Sequence, residues 1–536
     1  MKSDFLFELG TEELPPKTLL ALSESLTSGL LNGFKSARLS FGEVSSFASP
    51  RRLAVVVRDL DVKAPNIEIV NWGPPTKVAF DSHGSATKAA QAFATKNNLV
   101  LTELMNNVEH DGQQEKLCLR KTEEGRDTAA LLSELINAVL LGLPIAKRMS
   151  WGSNKELFVR PVQWAVLLFD GKTCELPILG ITSGNLSQGH RFHGSGDIAI
   201  ETPLSYEKQL RDQFVIASFD QRRNIIREGV TNLAKTIHGH AVIDGALLDE
   251  VSALNEWPVP LIGHFDPHFL EIPAEALISS MKEHQKYFHL TDSNNQLLPA
   301  FITVANIQSN DPSQVVAGNE RVIRPRLADA AFFYKNDRLV SLEQRRESLK
   351  RVIFQDKLGS VFDKTERVAN LCSQLAPFTG ANAKLAYRAG ELCKSDLVTD
   401  MVGEFADLQG VMGRYYALHD GEEPSVAEAQ LEQYLPRFSG DRTPENAVGA
   451  TLALADKLDT LVGIFSIGQP PSGSRDPFAL RRASLGILRI ILDRKIDIDL
   501  TKAISLAASQ FDLDAAEMDK TRKQVLTYVL ERFRSW

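Results

Sequence analysis

The residues able to do chemistry are scattered along the chain rather than gathered into one signature. His419-Asp420 has the form of the central ligand pair of a metal-dependent phosphohydrolase, a site that also needs an earlier His and a later Asp on neighbouring helices. No histidine lies between His289 and His419, and Gly421 follows the pair, so the spacing predicts a helix end there. Lys147-Arg148-Met149-Ser150 has the form of a short nucleotide-binding loop, but its companion His-x-Gly-His is missing, which leaves a solvated helix end. The chain contains no G-x-x-x-x-G-K-[ST], G-x-G-x-x-G, G-x-S-x-G or H-E-x-x-H. A P-loop, a dinucleotide fingerprint, a nucleophile elbow and a zincin helix are thereby excluded. The four cysteines, Cys118, Cys174, Cys372 and Cys393, form no C-x-x-C, which argues against a zinc site and a disulfide framework and suits a reducing compartment.

Other stretches mix basic, aromatic and glycine residues: Ser49-Pro50-Arg51-Arg52, Phe158–Trp164, Gly189–Gly194, Met281–Phe288 and Gly318–Ala330. Arginine forks hold phosphates and aromatic rings stack on unpaired bases. Arg51 and Arg52 can equally cap and solvate a strand start, and Phe192 or Phe288 can be core. Residues 321–351 carry nine Lys/Arg against four acids, a local excess of +5 in a chain of net charge −8. Either a polyanion site or a solvated helix face satisfies that count. Arg324 and Arg326 flank Pro325, which predicts a rigid turn entering a helix at Leu327, with Asp329 as an intramolecular partner. Residues 475–495 carry six Lys/Arg against two acids. Asp476-Pro477 predicts a helix start, with Phe478, Leu485, Leu488 and Leu492 as the buried stripe and Arg482 and Arg489 as a basic edge. Arg481 lies on the apolar side and must pair or emerge into a groove. Arg321, Arg324, Arg326, Arg475, Arg481, Arg482 and Arg489 are the candidate RNA-contacting residues, and no residue stands out as catalytic, cofactor-binding or metal-binding.

The elements that must position these residues change character along the chain. Up to about residue 320 strand and helix patterns alternate: Phe5, Phe7 and Leu9 alternate as a strand, Thr18–Phe34 and Ala129–Ala146 have helical spacing, and Leu53–Val57 and Val162–Phe169 are strand-like. Beyond it, Leu327–Phe333, Leu339–Phe354, Lys364–Leu375, Ala383–Gly403 and Ala447–Ile464 read as helices, and a last helix carries Val525, Leu526, Val529, Leu530 and Phe533 on one face. The 536 residues, 43% hydrophobic and 24% charged, are those of a multidomain α+β protein with a mixed α/β N-terminal half and a mainly helical remainder. Asp4 and Glu8 interrupt any secretory signal and no segment is apolar enough to span a membrane, so a cytoplasmic protein without membrane contact is expected.

Five stretches together resemble one family. Phe5-Leu-Phe-Glu-Leu-Gly-Thr-Glu-Glu-Leu-Pro-Pro, Gly318-Asn-Glu-Arg-Val with Arg326-Leu-Ala-Asp-Ala-Ala-Phe-Phe, Gly403-Glu-Phe-Ala-Asp-Leu-Gln-Gly-Val-Met-Gly, Ala455-Asp-Lys-Leu-Asp-Thr-Leu and Ser474-Arg-Asp-Pro-Phe-Ala-Leu-Arg-Arg resemble the bacterial glycyl-tRNA synthetase beta subunit, in order and over essentially the whole chain. The resemblance implies an α2β2 assembly in which the alpha subunit holds the class II site for ATP, Mg2+ and glycine. This chain then binds tRNA(Gly) and no cofactor of its own. It also implies an editing-like module within residues 1–320, a helical domain similar to His-Asp phosphohydrolases over 321–500, and a helical linker over 501–536 leading to an absent anticodon-binding domain. Ala455–Asp459 matches the last-Asp helix of the phosphohydrolase fold. The alternatives are a metal-dependent phosphohydrolase built on the helical half and a trans-editing hydrolase built on the N-terminal module.

Overall fold

The computed structural model describes residues 1–81, 83–153, 155–472 and 475–535; Gly473, Ser474 and Trp536 of the C-terminal segments lie outside the described residues. The architecture is multidomain and mixed α/β. One compact unit comprises Met1–Asn232, Ile243–Leu261 and Val304–Pro312, the other Leu233–Val242, Ile262–Thr303 and everything from Ser313 onward.

The first unit is built on a five-stranded antiparallel sheet whose strands run in the order Val44–Ser49, Arg52–Asp61, Lys2–Thr11, Val162–Phe169, Lys172–Thr173. The alternation read in the first strand is real, and both faces are covered. Phe5, Phe7 and Leu9 enter one apolar core, Leu6 enters another, and Glu8 is buried on the Leu6 face. Helix Leu19–Ser36 lays Leu19, Leu22, Leu26, Leu30 and Phe34 on the first core, as helical spacing requires. Helix Thr128–Gly142 contributes Leu131, Leu132, Ile136 and Leu140 to the same core. These two helices touch closely: a Cβ on Gly29 would sit 2.6 Å from Val139, and one on Gly33 2.7 Å from Leu135. Arg148 does not end a helix in solvent but reaches back to the Leu141 carbonyl at 2.7 Å, closing the C-terminus of Thr128–Gly142.

Arg52 departs most from expectation. It neither caps nor solvates the strand it begins; it is fully buried between Glu8 and Glu256. Arg51 pairs with Glu256 at 2.8 Å and bonds the Gly189 carbonyl. Phe288 is core, whereas Phe192 is 75% exposed.

The second unit is mainly helical. Helix Ala447–Ser466 is buried on nearly every side and packs against Val361–Thr379, Pro424–Glu432, Leu480–Asp493, Leu500–Ala508 and Ala515–Ser535. The Leu339–Phe354 span is not one helix. It divides into Leu342–Arg345, a 3-10 turn Arg346–Arg351 and strand Ile353–Gln355, because its basic residues face separate partners: Arg345 reaches Asp337 at 3.1 Å and Arg346 reaches Glu366 and Glu391. Ala383–Gly403 likewise breaks after Leu392, where Lys394 takes a left-handed φ of 65°. In Ala515–Ser535, Val525 and Val529 are buried but Leu530 and Phe533 are 44% and 47% exposed. Among the described residues, no helix is long and apolar enough to cross a membrane.

Candidate functional site

Arg321, Arg324 and Arg326 lie on one 26-residue helix, Pro312–Asp337, which runs through Pro325 without the expected turn. The proline lacks an N–H, so the Arg321 carbonyl loses its helical donor, yet Ile323, Leu327 and Ala330 on the buried face hold the helix together. All three arginines are exposed, and none makes an ion pair among the described residues. Asp329 does not partner them. Much of the surrounding basic excess is consumed internally, by Arg345–Asp337, Arg346–Glu366 and Lys350–Glu347. The preceding residues have structural duties: Asn319 accepts from the Tyr287 hydroxyl at 2.6 Å and Glu320 from the His264 N–H at 2.8 Å.

The second basic stretch is set by helix Leu480–Asp493, which starts later than its Asp-Pro signature suggests. Asp476 still caps it, accepting from the N–H groups of Leu480 at 2.8 Å and Arg481 at 3.0 Å. With that shift the buried stripe becomes Leu480, Ser484, Ile487, Leu488 and Ile490, leaving Phe478 and Leu485 half-buried and Leu492 48% exposed. Arg475 is exposed beside Ser472. Arg481 is half-buried and lies against Tyr528, not in a groove. Arg489 donates to the Asp441 carbonyl at 2.6 Å. Arg482 is exposed, with no ion pair among the described residues, and together with Arg437 it lines two adjoining cavities.

The larger of these, about 500 Å³, is lined by Gln433, Tyr434, Arg437, Asp456, Lys457, Phe478 and Arg482 among others. Behind it lies a group of charges that Asp456 and Asp459 project from the central helix. Asp456 takes Lys364 on one carboxylate oxygen and Lys394 on the other, each at 3.1 Å. Asp459 takes Lys364 at 2.9 Å and Arg367 at 2.8 Å. Lys394 also stands 4.1 Å from the centre of the Tyr434 ring. Burial alone would raise the Asp456 carboxyl, but Lys364, Lys394 and Lys457 outweigh it and hold the group well below the usual carboxylate range. Burial pulls Lys457 down to about 8, and its ammonium donates to the carbonyls of Leu435 at 2.7 Å and Gln433 at 3.2 Å.

This arrangement does not fit a metal. The Asp456 carboxylate that a phosphohydrolase would use as its last ligand faces two ammonium groups. His419 sits at an exposed helix end beside Arg338, and Asp420 accepts from the Leu342 N–H at 2.8 Å. Among the described residues, no group of three or more His, Cys, Asp or Glu is placed to hold an ion. A carboxylate held this far below its usual range is also a poor general base. Dialysis of the purified chain against EDTA is expected to leave its thermal midpoint unchanged. A fall of several degrees, restored by one divalent cation, would contradict the lysine assignment.

Lys364, Lys394 and Arg437 escaped the sequence reading. A signal existed for Lys364: on helix Val361–Thr379 it shares the face of Val361, Thr365, Val368 and Cys372, an apolar stripe in which a cation needs a partner. For Lys394 and Arg437 no local pattern marks the role.

A family model for the glycyl-tRNA synthetase beta subunit matches residues 5–536. The chain is 52% identical over 534 residues to the glycine–tRNA ligase beta subunit of Marinobacter nauticus, covering 99% of this chain and 76% of that one. To the proteins of the same description from Hahella chejuensis and Stutzerimonas stutzeri it is 48% and 49% identical, over 99% of this chain and 77% of each relative.

Proposed function

The chain belongs to the glycyl-tRNA synthetase beta subunit family, and from that premise we infer that it serves the charging of tRNA with glycine as the subunit that binds tRNA. The observation that carries this reading is the family match spanning residues 5–536. We propose that the chain acts with an alpha subunit in an α2β2 assembly, in the cytoplasm. There the alpha subunit handles ATP, Mg2+ and glycine while this chain holds tRNA(Gly). The N-terminal region is proposed to carry the editing-like module and the helical region to be a phosphohydrolase-like domain put to binding rather than hydrolysis. Arg321, Arg324 and Arg326 support that use, since three exposed cations on one stretch of helix, only Arg324 feeling a nearby carboxylate, Asp266, form a ready phosphate track. Arg475 and Arg482 offer a second exposed basic region, while Arg489 and Arg481 are engaged with the Asp441 carbonyl and Tyr528.

The test uses the chain reconstituted with an alpha subunit. Glycine charging of tRNA is expected from the complex and not from the chain alone. Changing Arg321, Arg324 and Arg326 together to alanine is expected to weaken tRNA binding and to flatten the slope of log affinity against log salt by about two to three. An unchanged slope in a normally folded variant would remove the helix from the tRNA interface.

A further inference from the structure

Three residues lining the 500 Å³ cavity carry a buried polar atom that makes no hydrogen bond among the described residues: Gln433, Tyr434 and Asp456, whose Oδ1 has only the Lys364 ion pair. Gln433 is fully buried; its amide nitrogen donates to the Gln430 carbonyl at 2.8 Å, while its Oε1 finds no donor among the described residues. The hydroxyl of the neighbouring Tyr434 is buried and equally without a partner there. Burial pushes its pKa well above the usual value, so it stays a neutral group able to donate. An acceptor and a donor buried in one cavity cost stability unless something enters to use them. The other walls indicate what enters. Phe478 supplies flat apolar surface, the Tyr434 ring already has the Lys394 ammonium 4.1 Å from its centre, and Arg437 and Arg482 supply exposed guanidinium groups with no ion pair among the described residues. Asp456 adds little repulsion, since Lys364 and Lys394 cover both its oxygens.

A flat apolar wall, a buried donor beside a buried acceptor and arginine forks are the complement of a nucleotide. Every nucleobase edge sets a donor next to an acceptor, every base has a face to stack, and every nucleotide carries a phosphate. A cavity of this size lies within the usual range for small ligands. We propose that this cavity receives one nucleotide, its base against Gln433, Tyr434 and Phe478 and its phosphate held by Arg437 and Arg482. The proposal deepens the tRNA-binding reading and rests on it for the expectation that the nucleotide belongs to RNA, as an unpaired residue turned out of its stack. A free mononucleotide has the same chemistry and is separated by the test.

Tyr434→Phe removes only a hydroxyl that has no partner in the chain, so the variant is expected to melt at or slightly above the native temperature. The probes are a tRNA transcript, a single-stranded oligoribonucleotide and the four nucleoside 5′-monophosphates, each titrated into the full chain. If RNA supplies the nucleotide, Tyr434→Phe weakens the transcript and the oligonucleotide by roughly 3- to 10-fold, leaves the salt slope as it was, and no monophosphate binds measurably. If a free nucleotide is the ligand, the monophosphates bind and the variant weakens them by a similar factor. Arg437→Ala with Arg482→Ala should lower the affinity of whichever probe binds and flatten its salt slope. Equal affinities of native and Tyr434→Phe chains for every probe would overturn the proposal. Because the tRNA-binding reading stands on the Arg321, Arg324 and Arg326 variants, either can fail without the other.

Discussion

Asp459→Ala is expected to cost the helical unit about 3–5 kcal/mol, the range found when one partner of a buried ion pair is removed. Asp459 is 1% exposed, and its two oxygens hold the Lys364 ammonium and the Arg367 guanidinium, themselves only 5% and 13% exposed. Removing the carboxylate leaves Lys364 to Asp456 and Thr460 and strands Arg367 with the Leu358 carbonyl. Those cations cannot reach bulk water without opening the contact between Val361–Thr379 and Ala447–Ser466. Replacing Asp459 by leucine and Arg367 by methionine, with Lys364 kept for Asp456, removes the stranded guanidinium as well and should recover part of the loss, since burial of an ion pair gains little over apolar packing of the same volume. Urea denaturation checks both. An unchanged midpoint for Asp459→Ala would show that water already reaches these charges.

Arg52→Met is the second large effect, in the other unit. Arg52 is fully buried, 3.3 Å from Glu256 and 3.7 Å from Glu8, and also donates to the Ser49 hydroxyl and the Gln188 carbonyl. The methionine fills much of the volume but leaves Glu256 to Arg51 alone and Glu8 to its neutral donors, and about 3 kcal/mol of stability should be lost at pH 7. The pH dependence has a definite sign. In the native chain burial tends to raise the Glu256 carboxyl, and the charges of Arg52 and Arg51 prevail and lower it. A lowered carboxyl adds stability that is full above the unfolded value of about 4.5 and is lost as the pH falls through the folded one. Without Arg52 burial dominates and the folded value rises, so the variant gains protons on folding and recovers stability towards acid. The difference between native and variant midpoints should therefore narrow from pH 7 to pH 5. A constant difference would mean that Arg51 alone keeps Glu256 ionised.

How far the sequence reached depended on whether the information was local. Val162–Phe169 is read from its apolar run with the bounds the structure gives it, and Ala447–Ser466 from its helical spacing to within two residues. Both follow from which side chains must leave water. The end of Ala383–Leu392 was missed because it rests on the backbone of Lys394, a residue whose type does not announce a positive φ. The start of Leu480–Asp493 was misplaced because an aspartate can cap from four residues upstream through Leu480 as readily as from the adjacent position. The candidate site was half legible. Arg321, Arg324, Arg326, Arg475 and Arg482 are exposed and Arg481 and Arg489 are not, while the lysine–aspartate group joins residues 62 and more apart, and no periodicity encodes which carboxylate a distant lysine will find.

Glu8 gives the first strand a property that its hydrogen-bonded ladder alone could not. It lies opposite Ala54 on one neighbour and Val166 on the other, and on its face it receives Trp164, Ser187 and Tyr206. A slip of one residue would turn every side chain of the strand over, sending the carboxylate among Leu26, Leu30 and Phe34 and sending Phe7 and Leu9 against those three donors. Uniformly apolar strands covered on both faces tolerate such a slip; this one would leave an unpaired charge in hydrocarbon, at a cost of several kcal/mol. Glu8 thus works as an index mark. Of the ways in which Lys2–Thr11 could pair with a strand formed some 160 residues later, it excludes every slip by an odd number of residues.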